Sequence, residues 1–271
     1  MGVLAHYFEV GRMDELGRLH SPIHRLDART QIMTTAIFLV VTMSFPRYDV
    51  SALLPLALYP CALIALAGLP AGYLLRKVAV AAPFAIFVGL FNPLLDRHPV
   101  AQIGSCAISG GWVSFASILL RFALTVTAAL VLVSCTGIQR LCAGLERLGL
   151  PRVLAVQILF LYRYFFVIGD EGARMLRSVA IRSAGARALP WRLYGTLAGH
   201  LLLRAMDRAN RVYRAMLARG FDGEVRVLRP TAPGWRDAAF AAGWALFFLA
   251  ARRWNLAEAM GRLFGGYIVS P

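Results

Sequence analysis

The chain has 271 residues, 59% of them hydrophobic and only 16% charged, and it carries a net charge of +15. Soluble domains run at roughly 25% charged residues, so this composition excludes a water-soluble globule of the same length. The base is almost all arginine, 28 Arg with the single Lys77, and it lies between apolar runs. That is the positive-inside pattern of a membrane protein rather than the basic face of a nucleic-acid binder.

Residues 1–27 are polar and mixed in charge, which predicts a leading segment without a cleavable signal peptide. The first span is predicted over 30–45, ended by Pro46. The second covers 50–68, with Pro55 and Pro60 as kinks. The third covers 74–95, with Pro83 inside and Asn92-Pro93 near its end. Residues 96–111 read as an external loop, and the fourth span follows over 112–136. These runs approach the roughly 20 apolar residues that cross a bilayer core.

Residues 137–149 differ. Leu141, Leu145 and Leu148 share one helical face while Arg140, Glu146 and Arg147 lie off it, which predicts an amphipathic interfacial helix. Pro151 then sits where a helix can start. The run 152–169 is apolar but contains Gln157 and Arg163. A last apolar run covers 235–251.

Charge parity decides whether 152–169 crosses. With Arg121, Arg163 and Arg236 inside apolar runs left out, five spans with a cytoplasmic N-terminus put 21 basic residues inside and five outside. Six spans give 12 inside and 14 outside, or the reverse for the opposite orientation. Basic residues in short loops set orientation, so five spans are expected. The fold class is therefore all-α, a polytopic helical membrane protein. Residues 1–136 hold the N-terminal segment and four spans, 137–234 form a cytoplasmic arginine-rich domain, and 235–271 hold the last span and tail. The middle domain carries 16 Arg against six acids.

Two helices in that domain are predicted to end alike. The first runs over 152–184 and closes on Ile181-Arg182-Ser183, with Gly185 nearby as a cap. The second ends near 219 and closes on Ala218-Arg219-Gly220, followed by Phe221-Asp222-Gly223. An Arg in the last turn suits the negative helix end, and Gly suits the C-cap. Arg204, Arg208 and Arg211 share a face, and Asp207 precedes Arg211 by four, a favourable pairing order. Gly185–Pro190, Gly195 and Gly199 predict a return segment over 185–200, which would turn both arginine tips to the same side.

These residues resemble the T component of energy-coupling-factor (ECF) transporters, the membrane scaffold of a group of ABC importers. That family carries paired X-Arg-X motifs on two coupling helices, matched here by Ile181-Arg182-Ser183 and Ala218-Arg219-Gly220, with Ile181 a departure. His24-Arg25-Leu26-Asp27-Ala28-Arg29-Thr30 is similar to the family's Leu-Asp-Pro-Arg-x-Lys, with Ala28 and Gln31 as departures. Leu148-Gly149-Leu150-Pro151 before the stem and Tyr162-Arg163-Tyr164 through Asp170-Glu171 also fit the family, and within it the stem and its final acids look most like the cobalt-type subgroup, CbiQ. The resemblance covers residues 24–223.

It implies a complex with two ATPase subunits, a substrate-capture membrane subunit and a small accessory membrane subunit, in a cell inner membrane. Arg182 and Arg219 would dock on the ATPases, with Asp170, Glu171, Arg208, Arg211 and Asp222 as supporting coupling-domain residues. Met175, Met206 and Met216 would be adaptable contacts for the capture subunit. No Walker loop is present, so ATP and Mg belong to the partners and no catalytic residue is expected on this chain. His6, His20, His24, His98 and His200 are scattered and Cys61, Cys106, Cys135 and Cys142 form no CxxC, so no metal site is expected. The transported substrate, cobalt, nickel or a vitamin, is set elsewhere. A membrane enzyme acting on lipid phosphates is the reading from another class. It would need several Asp spaced along a helix, and the acids here are single or adjacent pairs.

Overall fold

The structure is a computed structural model that describes residues 17, 21–46, 50–95, 99–103, 106–183, 190–223 and 234–253. It divides into two compact units: Ile138–Pro230 lies in one, and Glu15–Gly137 with Thr231–Pro271 forms the other.

The larger unit is the apolar bundle. A short 3-10 turn, Ile23–Arg25, leads into α1, Ala28–Ser44. Asp27 caps α1 by accepting the Arg29 N–H at 2.9 Å, the usual task of an N-cap carboxylate. Helix α2, Val50–Leu53, passes through a 3-10 turn at Leu54–Ala57 into α3, Leu58–Ala67. Pro55 falls in the tightened turn, and Pro60 in the first turn of α3, where its missing N–H has no intrahelical acceptor anyway. Helix α4, Ala71–Gly89, is followed by α5, Phe91–Leu95. The break comes where Pro93 has no N–H to offer the Gly89 carbonyl.

The expected loop at 96–111 contains a structured element. Strands β1, Pro99–Ile103, and β2, Cys106–Ser109, pair antiparallel with Ala101 opposite Ile108. The class stays all-α around this small pair, where Val100, Ile103 and Ile108 are β-branched and the run is too short for a stable helix. Helix α6, Gly110–Thr136, starts directly from β2 and packs on α1, α3, α4 and α5. Its close approach to α4 uses small residues: Gly110, Gly111, Ser114 and Ser117 are buried, and a Cβ on Gly89 would lie 2.8 Å from the Phe115 ring. Small residues let membrane helices approach closely. Helix α10, Trp235–Arg253, completes the bundle against α1.

By length and composition, four described helical stretches can cross a membrane: Val50–Ala67, Ala71–Pro93, Gly110–Thr136 and Arg152–Arg182. Three are spans expected from the sequence; the fourth is the run that the charge count assigns to the cytoplasmic domain. Helix α1, with 17 residues, and α10, with charges at both ends, are not among them. Both nevertheless supply the bundle core. Phe38 of α1 stacks on Tyr59 at 4.7 Å and meets Phe248 of α10 at 5.6 Å, while Trp244 lies edge-on to Tyr59 at 4.9 Å.

Polar groups inside this bundle are placed to hold helix ends. Gln31 donates from Nε2 to the Ile23 carbonyl at 2.7 Å and accepts the Thr136 hydroxyl at 2.6 Å, tying α1 to the end of α6. Arg121, in the middle of α6, donates to the Phe45 and Pro46 carbonyls at 3.0 and 2.6 Å. Arg252 lies over the Phe45 ring at 5.0 Å. Two cations thus meet the negative end of α1.

Asp237 joins two helix starts. Its Oδ2 accepts the Gly234 N–H at 2.8 Å, and its Oδ1 accepts the Asp27 N–H at 2.7 Å. The first bond is the return half of a capping box. The second is buried and spans 210 residues of sequence. Replacing Asp237 with Ala strands both donors, at about 1–3 kcal/mol for each buried group left unpaired. Thermal unfolding in detergent is expected to fall by about 2–4 °C per kcal/mol lost. Asp237→Asn, which keeps one acceptor, should lose less; an Ala variant that melts with the wild type would show that the carboxylate holds nothing together.

Candidate functional site: the arginine-tipped helix pair

The second unit is built on three helices. Helix α7, Ile138–Arg147, is the expected amphipathic segment, with Cys142 and Gly144 buried. It stops in a Schellman motif: Gly149 takes φ +112°, its N–H donates to Glu146 O at 3.1 Å, and the Leu150 N–H donates to Leu145 O at 3.0 Å. Only a residue free to take positive φ ends a helix this way. Pro151 then caps α8, Arg152–Arg182. Arg152 pairs with Glu146 at 3.0 Å across the turn.

Arg182 is the last residue of α8 and Ile181 beside it is 81% exposed. Ser183 closes the helix, its N–H donating to Val179 O at 2.9 Å and its hydroxyl to Ala180 O at 3.1 Å. Gly185, the expected cap, lies outside the described residues.

Helix α9, Trp191–Ala218, runs unbroken through Gly195 and Gly199. The return segment expected over 185–200 is therefore wrong from Trp191 onward. A helical Gly costs only about 1 kcal/mol against Ala, too little to stop a helix this long. Pro190, at the N-cap, marks the true start. The far end of α9 is again a Schellman stop, with Arg219 at the C-cap and Gly220 at φ +76°. The Gly220 N–H donates to Leu217 O and the Phe221 N–H to Met216 O, both at 3.0 Å. The backbone at the Arg219 tip is thus fixed while its side chain stays exposed.

The two helices run antiparallel. Phe160 faces Phe221 with ring centroids 6.4 Å apart. Glu171 meets Arg204, and a Cβ on Gly172 would lie 3.4 Å from Leu201. At 1.5 Å per residue, Arg182 and Arg219 then lie on the order of 40 Å apart, at opposite ends of the pair. The same-side arrangement expected from the sequence falls with the return segment. Both side chains are exposed, and neither has an ion-pair partner among the described residues.

Between the tips, Glu171 holds the crossing. Its Oε2 accepts from Arg174 on α8 and its Oε1 from Arg204 on α9, both at 2.5 Å. Arg174 and then Arg204 hold this carboxyl below the usual carboxylate range. A cleft of about 380 Å3 opens beside it, lined by Glu171, Arg204, Asp207, Arg208 and Arg211. Asp207 makes no ion pair with Arg211, contrary to the spacing argument. Asp170 is exposed one residue before Glu171, and Asp222 is exposed beyond the Arg219 tip. Of the supporting residues, the structure gathers Glu171, Arg208 and Arg211 around one cleft and leaves Asp170 and Asp222 outside it. Met206 is 57% exposed, with Met175 and Met216 half-buried.

Arg204 and Gly172 were not singled out as site residues. The signal was available: an acid on one amphipathic helix and a three-arginine face on the next. Only the antiparallel pairing shows which arginine meets Glu171. Among the described residues, no three His, Cys, Asp or Glu come close enough to hold a metal.

A family model described as Cobalt transport protein (CbiQ) matches residues 20–228. The chain is 32% identical over 120 residues to the cobalt transport protein CbiQ of Rhodobacter capsulatus, covering 43% of this chain and 49% of that one. It is 32% identical over 102 residues to the nickel permease LarQ of Lactiplantibacillus plantarum, covering 38% and 37%. These two matches thus span half or less of either relative. Over 241 residues it is 29% identical to the energy-coupling factor transporter transmembrane protein EcfT of Heliobacterium modesticaldum, covering 82% of this chain and 88% of that one.

Proposed function

Because the chain belongs to the CbiQ cobalt transport protein family, we propose that it is the membrane coupling subunit of an ECF-type importer, driven by ATPase partners and serving uptake of cobalt or nickel. Its membrane class and its likeness to a transporter transmembrane protein over 82% of its length support the role. The cobalt or nickel assignment leans on shorter matches to a cobalt transport protein and a nickel permease. A vitamin importer is the second substrate class.

The observation that carries the coupling role is the pair of exposed arginines, without ion-pair partners among the described residues, at opposite ends of one helix pair. Each tip reaches a different ATPase subunit, and the pinned crossing between them makes the pair a lever. Arg182 and Arg219 each insert a guanidinium fork into a groove rich in carboxylates or carbonyls, a geometry that Lys does not reproduce. ATP closure then moves both tips, and the helices pass the motion to a substrate-capture membrane subunit. ATP and Mg stay on the ATPases, so the chain itself is not an enzyme. The charge count supports a cytoplasmic N-terminus and helical unit, with the protein in a cell inner membrane.

The test is purification of the tagged chain from its own membrane in detergent. Two ATPase polypeptides and a small membrane subunit are expected to co-elute with ATP hydrolysis, and the chain alone should hydrolyse none. Labelled cobalt, nickel and vitamin uptake in cells with and without the chain separates the substrate classes. A preparation that elutes alone under every mild detergent, with uptake unchanged on deletion, would overturn the role.

A further inference from the structure

The bundle carries a second arginine-lined feature that uses none of the coupling-motif residues. A cleft of about 530 Å3 opens where the chain enters α1 and α10, lined by residues 21–23, 25–26, 234–237 and 240. Its floor is apolar: Ile23 and Leu26 are buried and Phe240 is partly buried. Its rim is cationic, with Arg25 and Arg236 both exposed and neither in an ion pair among the described residues. Trp235 stands on the same rim, 77% exposed, with the Arg236 guanidinium over its ring at 5.8 Å.

Among the described residues, Asp237 is the one acid lining the cleft, and both its oxygens are engaged by backbone N–H groups. Its charge is therefore spent on the helix starts. The N–H groups of Trp235 and Arg236, in the first turn of α10, have no intrahelical acceptor, and that end of the helix favours an anion.

We propose that this cleft is a binding site for an anionic phospholipid. Arg25 and Arg236 take the headgroup phosphate, the Trp235 ring lies at the glycerol level, and the upper acyl chain lies on Ile23, Leu26 and Phe240. Three observations select a lipid over an acidic peptide. The floor is apolar and side-chain built, the cleft sits at the end of a bundle of membrane helices, and an exposed Trp at a helix end is the usual marker of the membrane interface. Guanidinium groups suit phosphate because they present paired donors. The proposal rests on the membrane class of the bundle and not on its coupling role, so either can fail alone.

The full chain is reconstituted into phosphatidylcholine nanodiscs containing a minor fraction of either bromine-labelled phosphatidylglycerol or bromine-labelled phosphatidylcholine. Trp235 quenching is read as the difference between the wild type and Trp235→Phe. The expected result is several-fold stronger quenching by the anionic lipid at equal fraction. Arg25→Ala with Arg236→Ala should remove the preference, and Arg25→Lys with Arg236→Lys should keep it at reduced strength, which also shows that the double change leaves the bundle folded. Equal quenching by the two lipids in the wild type overturns the proposal. So does a preference unchanged in the Ala pair. Loss of the preference on adding inorganic phosphate, but not chloride at matched ionic strength, assigns the cleft to free phosphate and overturns the lipid.

Discussion

Arg182→Glu together with Arg219→Glu is expected to abolish both ATPase association and uptake. Each arginine stands exposed at the end of a helix, with no ion-pair partner among the described residues, so neither contributes to the fold of this unit. Their removal should leave the melting temperature of the isolated chain unchanged. In the proposed assembly with ATPases the same side chains would become desolvated. Removing one partner of a buried, hydrogen-bonded charge pair costs about 2–5 kcal/mol, or roughly 30- to several-thousand-fold in affinity. Glu adds repulsion against any carboxylate in the receiving groove. The single variants fall between, and they need not be equal. The Arg219 tip has a backbone locked by Gly220, whereas Ile181, at 81% exposure, sits beside Arg182 and offers an apolar contact of its own. Arg→Lys at either tip keeps the charge and loses the fork, so it should weaken association without abolishing it. Co-purification and uptake are the measurements. Wild-type assembly and uptake in the double Glu variant would remove the coupling role from these residues.

Much of this fold was legible in composition and punctuation. Pro46, Pro55 and the Asn92-Pro93 pair each mark a real break, because a residue without an N–H leaves a carbonyl without its donor. The Gly149 and Gly220 stops were legible too, since each follows an amphipathic run. What misled was glycine inside a helix. Gly195 and Gly199 read as breaks, yet with Pro190 before them and an apolar stripe on either side they simply thin one face of α9. That single error reversed the predicted placement of the tips. The strand pair 99–103 and 106–109 was missed because its nine residues of mixed polarity carry little periodicity. Asp237 and Arg121 were passed over for a different reason. Each lies in an apolar run, where a charge reads as a lipid contact. Both hold helix ends that only the packing of α1 against α6 and α10 brings within reach.

The second large effect is expected at the crossing. Glu171→Arg should reduce uptake at least about 10-fold while leaving both ATPases bound, because it removes the pin and leaves the tips intact. Among the described residues, Glu171 is the only acid that the structure brings to Arg204, and it anchors Arg174 as well. Reversal puts three cations at one point where Gly172 lets the helices approach to within contact of Leu201. Like charges at that separation repel, and the helix pair splays there. A lever that bends at its pivot transmits less of the displacement applied to its ends, so ATP hydrolysis continues but becomes uncoupled from uptake. The pair Glu171→Arg with Arg204→Glu restores an attractive contact in reversed order and should recover part of the uptake; Arg204→Glu alone should not. Acid offers a second readout with a definite sign. The Glu171 carboxyl is held below its ordinary range, so its contribution is complete above about pH 4.3, the usual Glu value. It is lost only as the pH falls through the lowered value. Uptake near neutral pH is therefore insensitive to titration of this residue. If Glu171→Arg supports wild-type uptake, or if the charge-swapped pair recovers nothing while the protein stays folded, the crossing is a passive contact and the helices move as separate rods.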